Sequence, residues 1–223
     1  MNSVACVIIH GFGGSLSEIT YLEEYLKNKN IFDVYSILLP GHGGTKKDLS
    51  KTNRRDWINS VKIQIDELKH KYSNIIVIGF SMGGLIGSQL AAENLIDKLI
   101  LINTPYKFWN VPVILRDAVN LDIGRYTEAV SKTSIKSCFD FLGILGDTKN
   151  ILYKVKCPTL IIQCSKDETV PPKSALKIKR RISGQVVLKK YTGGRHRVFM
   201  EKEGVNLRDE ICRDIVKWVL QES

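Results

Sequence analysis

The run Asn74-Ile75-Ile76-Val77-Ile78-Gly79-Phe80-Ser81-Met82-Gly83-Gly84-Leu85 decides how the rest of the chain is read. Its first half is continuously apolar and rich in β-branched residues, the pattern of a short strand buried on both faces. From Leu85 to Glu93 the sequence turns helix-like and stays mostly apolar. Between the two lies Gly79-Phe80-Ser81-Met82-Gly83, a Gly-x-Ser-x-Gly pentapeptide. A strand that runs into this motif and out into a helix is the setting of a nucleophile elbow, a strained turn that exposes the serine hydroxyl. Gly79 and Gly83 lack a Cβ, so strand and helix can pass close together there. An ordinary tight turn would accept the same residues, so the pentapeptide needs partners elsewhere in the chain.

Further strand-like runs occur over 4–9, 34–39, 98–102, 159–164 and 185–191, with 75–79 as the central one. Most are continuously apolar, as parallel strands covered on both faces must be. Helical patterns fall between them. Trp57, Val61, Ile65 and Leu68 recur at helical spacing across 54–71, and Leu207, Ile211, Ile215 and Val219 do so near the C-terminus. Tyr21, Leu22, Tyr25 and Leu26 mark another helix. The alternation predicts an α/β fold, a mostly parallel sheet of about six strands with helices on both faces. A chain of 223 residues that is 43% hydrophobic can bury one such core, and no linker or internal repeat divides it, so a single domain over 1–223 is expected.

The rhythm is lost between about 105 and 150. The insertion carries Tyr106, Trp109, Phe139, Phe141, Leu142 and Ile144 with Pro105 and Pro112, too apolar for a disordered loop and too irregular for one helix. It is read as a small helical cap over the end of the sheet, with Trp109 and Phe141 lining the substrate pocket. The alternative is a pair of extra helices on the core, away from any site.

A serine at an elbow needs a base, and the base an orienting carboxylate; on this arrangement of strands they follow in the order Ser, Asp/Glu, His. His10, His42 and His70 all precede Ser81, which leaves His196, just after the last strand in Gly193-Gly194-Arg195-His196. Asp167 is the first carboxylate past the strand over 159–164, where parallel sheets place their sites; Glu168 is the fallback. The glycine loop Gly11-Phe12-Gly13-Gly14 ends the first strand and can aim the Phe12 N–H at the elbow. With the Met82 N–H it makes two donors for the oxyanion of a tetrahedral intermediate. A phosphate loop is the rival reading, but Gly-Lys-Ser/Thr is absent and the glycine spacing does not match the dinucleotide fingerprint. His10 is expected to order this loop through hydrogen bonds.

With these pieces together the chain resembles the α/β-hydrolase superfamily, and within it the small bacterial carboxylesterases related to monoacylglycerol lipases. The resemblance rests on His10-Gly11-Phe12-Gly13-Gly14, Pro40-Gly41-His42-Gly43, Gly79 to Gly84, Asp167 with Pro171, and His196, and it spans nearly the whole chain. It implies that Ser81, Asp167 and His196 form the triad, that Phe12 and Met82 supply the oxyanion hole, and that the insertion is the family's cap. Two departures stand out. The family's N-terminal antiparallel hairpin is missing, and His196 is flanked by Arg195 and Arg197 where relatives have a small and an apolar residue.

Composition narrows the rest. Five cysteines without Cys-x-x-Cys spacing read as reduced side chains, and neither a metal cluster nor a cofactor is expected. No signal segment and no apolar run of bilayer length is seen, so a cytoplasmic protein without membrane insertion is expected. The net charge of +10 is concentrated over 149–202, where fourteen Lys/Arg face Asp167, Glu168 and Glu201. No stacking aromatics alternate with them, which argues against nucleic acid. The reading that results is a monomeric serine carboxylic-ester hydrolase that cleaves short- to medium-chain acyl esters or monoglycerides through an acyl-enzyme. Its alternatives are an acyl thioesterase on the same triad and a non-catalytic binding module of the same fold.

Overall fold

A computed structural model describes residues 4–107, 134–200 and 205–221. Six strands form one sheet: β1 (Val4–Ile9), β2 (Asp33–Ile37), β3 (Asn74–Phe80), β4 (Lys98–Ile102), β5 (Thr159–Cys164) and β6 (Val186–Tyr191). Their order is β2-β1-β3-β4-β5-β6, and every neighbouring pair is parallel. The described helices of a full turn or more are α1 (Thr20–Lys27), α2 (Lys46–Ser50), α3 (Arg54–Lys69), α4 (Met82–Ala92), α5 (Ile135–Ile151), α6 (Lys173–Lys179) and α7 (Val205–Leu220).

The pleat divides the apolar strands between two cores. Ala5, Val7, Ile9, Val77, Leu99 and Ile161 face a layer built from α3, α4, α5 and α6. Cys6, Ile8, Ile76, Ile78, Ile100 and Ile162 face the opposite layer, which α1 and α7 cover. Strands buried on both faces have no polar side to present, which is why their sequences run apolar without alternation. The α3 stripe of Trp57, Val61, Ile65 and Leu68 is buried as its spacing requires, and a capping box of Asn53 and Asp56 fixes its first turn.

The edge strand β2 stops at Ile37, two residues short of the apolar run. The Leu39 N–H is spent on His10 Nε2 at 3.1 Å, so the chain leaves the ladder to meet the glycine loop. The insertion has a described part and an undescribed one. Helix α5 lies against α4 and α3: Gln89 Nε2 donates to Thr148 Oγ1 at 3.0 Å and Arg54 Nη1 to Asp147 at 2.8 Å. Phe141, Ile144 and Leu145 enter the core beneath it. Residues 108–133, and with them Trp109, lie outside the described residues. Among the described residues no helix is long and apolar enough to cross a membrane.

Candidate active site

Ser81 sits between the end of β3 and the first residue of α4 with φ 52° and ψ −116°. A side chain at positive φ is strained, and the strain is held by neighbours on every side. The Ser81 N–H donates to Ile102 O of β4 at 2.9 Å. The crossing is so close that a Cβ on Gly83 would stand 2.2 Å from Ile9 O. The result is a serine at the C-terminal end of the central strand, its hydroxyl turned toward the loops above.

The loop after β6 brings His196 over this hydroxyl. Its Nε2 lies 3.0 Å from Ser81 Oγ, and its Nδ1 lies 2.9 Å from Asp167 Oδ2. The other Asp167 oxygen, Oδ1, accepts the N–H groups of Thr169 and Val170 at 2.9 and 2.7 Å. With Nδ1–H donating to the carboxylate, the Nε2 lone pair is left to accept the serine hydroxyl. The ring also packs on Phe80, 5.1 Å between centroids. All three side chains are buried.

The glycine loop touches the elbow directly: a Cβ on Gly11 would lie 3.3 Å from Ser81 Cβ. His10 ties this loop down, donating from Nδ1 to Gly11 O at 2.8 Å while Nε2 accepts from Leu39. Burial lowers its pKa to about 4, so it stays neutral in this role. Phe12 stacks on Phe141 of α5 with centroids 5.0 Å apart, and His42 and Trp57 complete the aromatic group. Met82 opens α4. Among the described residues the N–H groups of Phe12 and Met82 take no part in the hydrogen bonds that fix the loops. Met82 also stands at the positive end of the α4 dipole.

Three residues that sequence reasoning gave no part in the site support it. Asn103, at φ 47° just past β4, donates from Nδ2 to His196 O and Arg195 O at 2.9 and 3.3 Å. Its Oδ1 accepts from Cys164 N at 2.9 Å, which clamps the histidine loop to the end of β5. An asparagine closing an apolar strand is the available signal, because its short amide tolerates the left-handed region. Gln163 donates to Asp167 Oδ2 at 3.4 Å. Glu18 reaches under the glycine loop from a short 3-10 turn, Leu16–Glu18, and accepts the Gly11 N–H at 3.0 Å. Glu168, the fallback carboxylate, accepts the backbone N–H of His196 at 3.1 Å instead of meeting its ring. Among the described residues no group of three His, Cys, Asp or Glu side chains is placed to hold a metal ion.

The family model of the alpha/beta hydrolase fold matches residues 5–125. The chain belongs to the alpha/beta hydrolase fold family. Among curated relatives, this α/β hydrolase is 28% identical to the thermostable monoacylglycerol lipase of Bacillus sp. (strain H-257), over 77% of this chain and 74% of that one. It is 22% identical to a carboxylesterase of Bacillus subtilis (strain 168), over 96% and 92%. Among solved structures it superposes on one from a study of LipS and LipT, two metagenome-derived lipolytic enzymes, with a TM-score of 0.81. That match is 22% identical and covers 98% of this chain and 94% of the other, a likeness of fold.

Proposed function

We propose that this α/β hydrolase is a serine carboxylic-ester hydrolase that works through an acyl-enzyme. The observation that carries the reading is the continuous hydrogen-bonded line from Ser81 Oγ through the His196 ring to the Asp167 carboxylate. Ser81 Oγ attacks the ester carbonyl as its proton passes to His196 Nε2, and Asp167 holds the imidazolium that forms. The oxyanion is received by the N–H groups of Phe12 and Met82. The tetrahedral intermediate collapses with the His196 proton leaving on the alcohol, and water repeats the sequence to free the acid and restore Ser81. The named relatives, a monoacylglycerol lipase and a carboxylesterase, support ester cleavage as the reaction class. Short- to medium-chain acyl esters or monoglycerides are the proposed substrates. They would be taken up under a cap over about 105–150 with Trp109 and Phe141 at the acyl chain, in a single-domain, monomeric cytoplasmic protein.

The test is covalent. A fluorophosphonate should label the wild type and leave Ser81→Ala unlabelled, while p-nitrophenyl butyrate hydrolysis falls by at least about 1,000-fold in the variant. Alanine fits the same space, so folding is preserved. A variant that kept a tenth of wild-type activity would remove Ser81 from the mechanism.

One observation favours the thioesterase alternative. Lys149 Nζ, Lys177 Nζ and Arg181 Cζ gather 5.4, 5.7 and 6.0 Å from the centre of the Tyr106 ring, a cationic patch suited to the phosphates of an acyl-CoA. Faster turnover of butyryl-CoA than of p-nitrophenyl butyrate would give that reading the substrate.

A further inference from the structure

Glu18 is a carboxylate that folding has buried at a cost. Its residue is 5% exposed, and burial pushes its pKa above the ordinary range although Arg197, the Gly11 amide and His196 pull it back. A buried charge of this kind is weak support for stability, because losing water costs about as much as its partners return. Its contacts lie at the site. Oε2 accepts the Gly11 N–H at 3.0 Å, and Oε1 meets Arg197 Nε at 3.1 Å. The packing leaves no slack: a Cβ on Gly14 would stand 2.0 Å from Oε2. Gly11 precedes Phe12, and Arg197 follows His196. One carboxylate therefore joins the backbone of the loop that carries the proposed oxyanion donor to the residue beside the proposed base.

We propose that Glu18 and Arg197 form a positioning pair that locks the glycine loop to the histidine loop and balances the charge beside the His196 imidazole. The inference rests on the reading of Ser81 and His196 as nucleophile and base. The pair answers the arginine that sequence comparison leaves unexplained at 197. A lone guanidinium next to the base would oppose the imidazolium formed in each chemical step, and the Glu18 carboxylate cancels that opposition. Other charged groups belong to the same surroundings. Asp167 meets Nδ1, Glu168 accepts the backbone N–H, and Arg195 lies on the same loop, while Phe80 and Asn103 contribute no charge. Neither Glu18 nor Arg197 is given a contact with substrate, so their loss should appear in kcat with KM nearly unchanged.

Opposite signs make the test specific. Glu18→Gln keeps an acceptor for the Gly11 N–H and leaves Arg197 unbalanced, so the acid limb of kcat/KM should move to lower pH. Arg197→Gln leaves the carboxylate unbalanced and should move the limb to higher pH, with the double variant returning near the wild type. Each single variant should lose about 10-fold in kcat at pH 8, the scale of a small misplacement of a catalytic group. The Tm of Glu18→Gln should hold or rise, because a desolvated charge has gone. A falling Tm with an unmoved acid limb in both single variants would make the pair structural only and overturn the proposal. Should Glu18→Gln fail to fold, Arg197, whose side chain is 28% exposed, decides alone, and an unmoved limb in Arg197→Gln overturns it. NMR of the His196 ring against pH reads the same opposite shifts without turnover. A wild type inert to both fluorophosphonate and p-nitrophenyl esters therefore sinks the ester-hydrolase reading, while the ring titrations still decide on the pair.

Discussion

At the scale of single residues, the backbone of Ser81 and its chemistry pull in different directions. Holding a serine at φ 52° and ψ −116° costs about 1–3 kcal/mol, and glycine would sit there with less strain. Ser81→Gly is therefore expected to unfold at higher denaturant than Ser81→Ala, with both variants unreactive toward a fluorophosphonate. Equal midpoints would mean that no strain is stored at the elbow. The meeting of Ser81, His196 and Asp167 was legible in the sequence, because a parallel sheet puts the ends of its strands on one edge and the chain order left a single histidine. The parts played by Asn103, Gln163 and Glu18 were not. Their roles depend on which backbone groups their side chains reach across loops, and no spacing along the chain encodes that. Glu18 in particular reads as a polar residue in a surface turn until Gly11 and Arg197 are found on either side of its carboxylate.

At the scale of elements, α5 links the core to the site. Phe141 is 3% exposed, belongs to the core cluster and stacks on Phe12, the residue proposed to offer an oxyanion donor. Phe141→Ala should cost about 3–5 kcal/mol by chemical denaturation. It should also slow fluorophosphonate labelling under folding conditions, because Phe12 loses the ring that steadies its loop. Altered acyl-chain preference in the same variant would support the proposed place of Phe141 at the acyl chain, and an unchanged preference would leave it to the core alone. The strands were legible almost to the residue, since a continuous apolar run bounded by turn residues has few other uses. The helix over Ile135–Ile151 was harder to place. Its apolar positions are the same whether it leans over the sheet edge or packs beside α4, and its contacts with Gln89 and Arg54 reach residues far away in sequence. The end of β2 is hidden from the sequence for a similar reason: the Leu39 N–H that leaves the ladder donates to His10, far away in sequence.

At the scale of the whole molecule, two buried histidines tie stability to pH. Burial lowers His10 to about 4, and burial followed by the neighbouring His10 lowers His42 to about 3, both from 6.5. In the unfolded chain both rings take up protons near pH 6.5, whereas the folded chain keeps them neutral well below that. Their contribution is therefore whole above about pH 6.5 and is lost as pH falls through about 4 for His10 and about 3 for His42, on the order of 3 kcal/mol for the first ring and 5 for the second. Denaturation midpoints at pH 7.5 and 5 should differ less in His42→Phe than in the wild type, and an unchanged difference would show that His42 is not held neutral. The order β2-β1-β3-β4-β5-β6 also bears on how the protein is made. Once β3 has docked on β1, each later strand joins the same advancing side, so the sheet can grow in one direction as synthesis proceeds. Until β3 emerges, however, the apolar edge of β1 has no partner and is open to wrong association. His196 lies beyond β6, the last strand to join, so the nucleophile meets its base only when the sheet is finished. A ribosome-bound fragment would carry Ser81 without the means to use it.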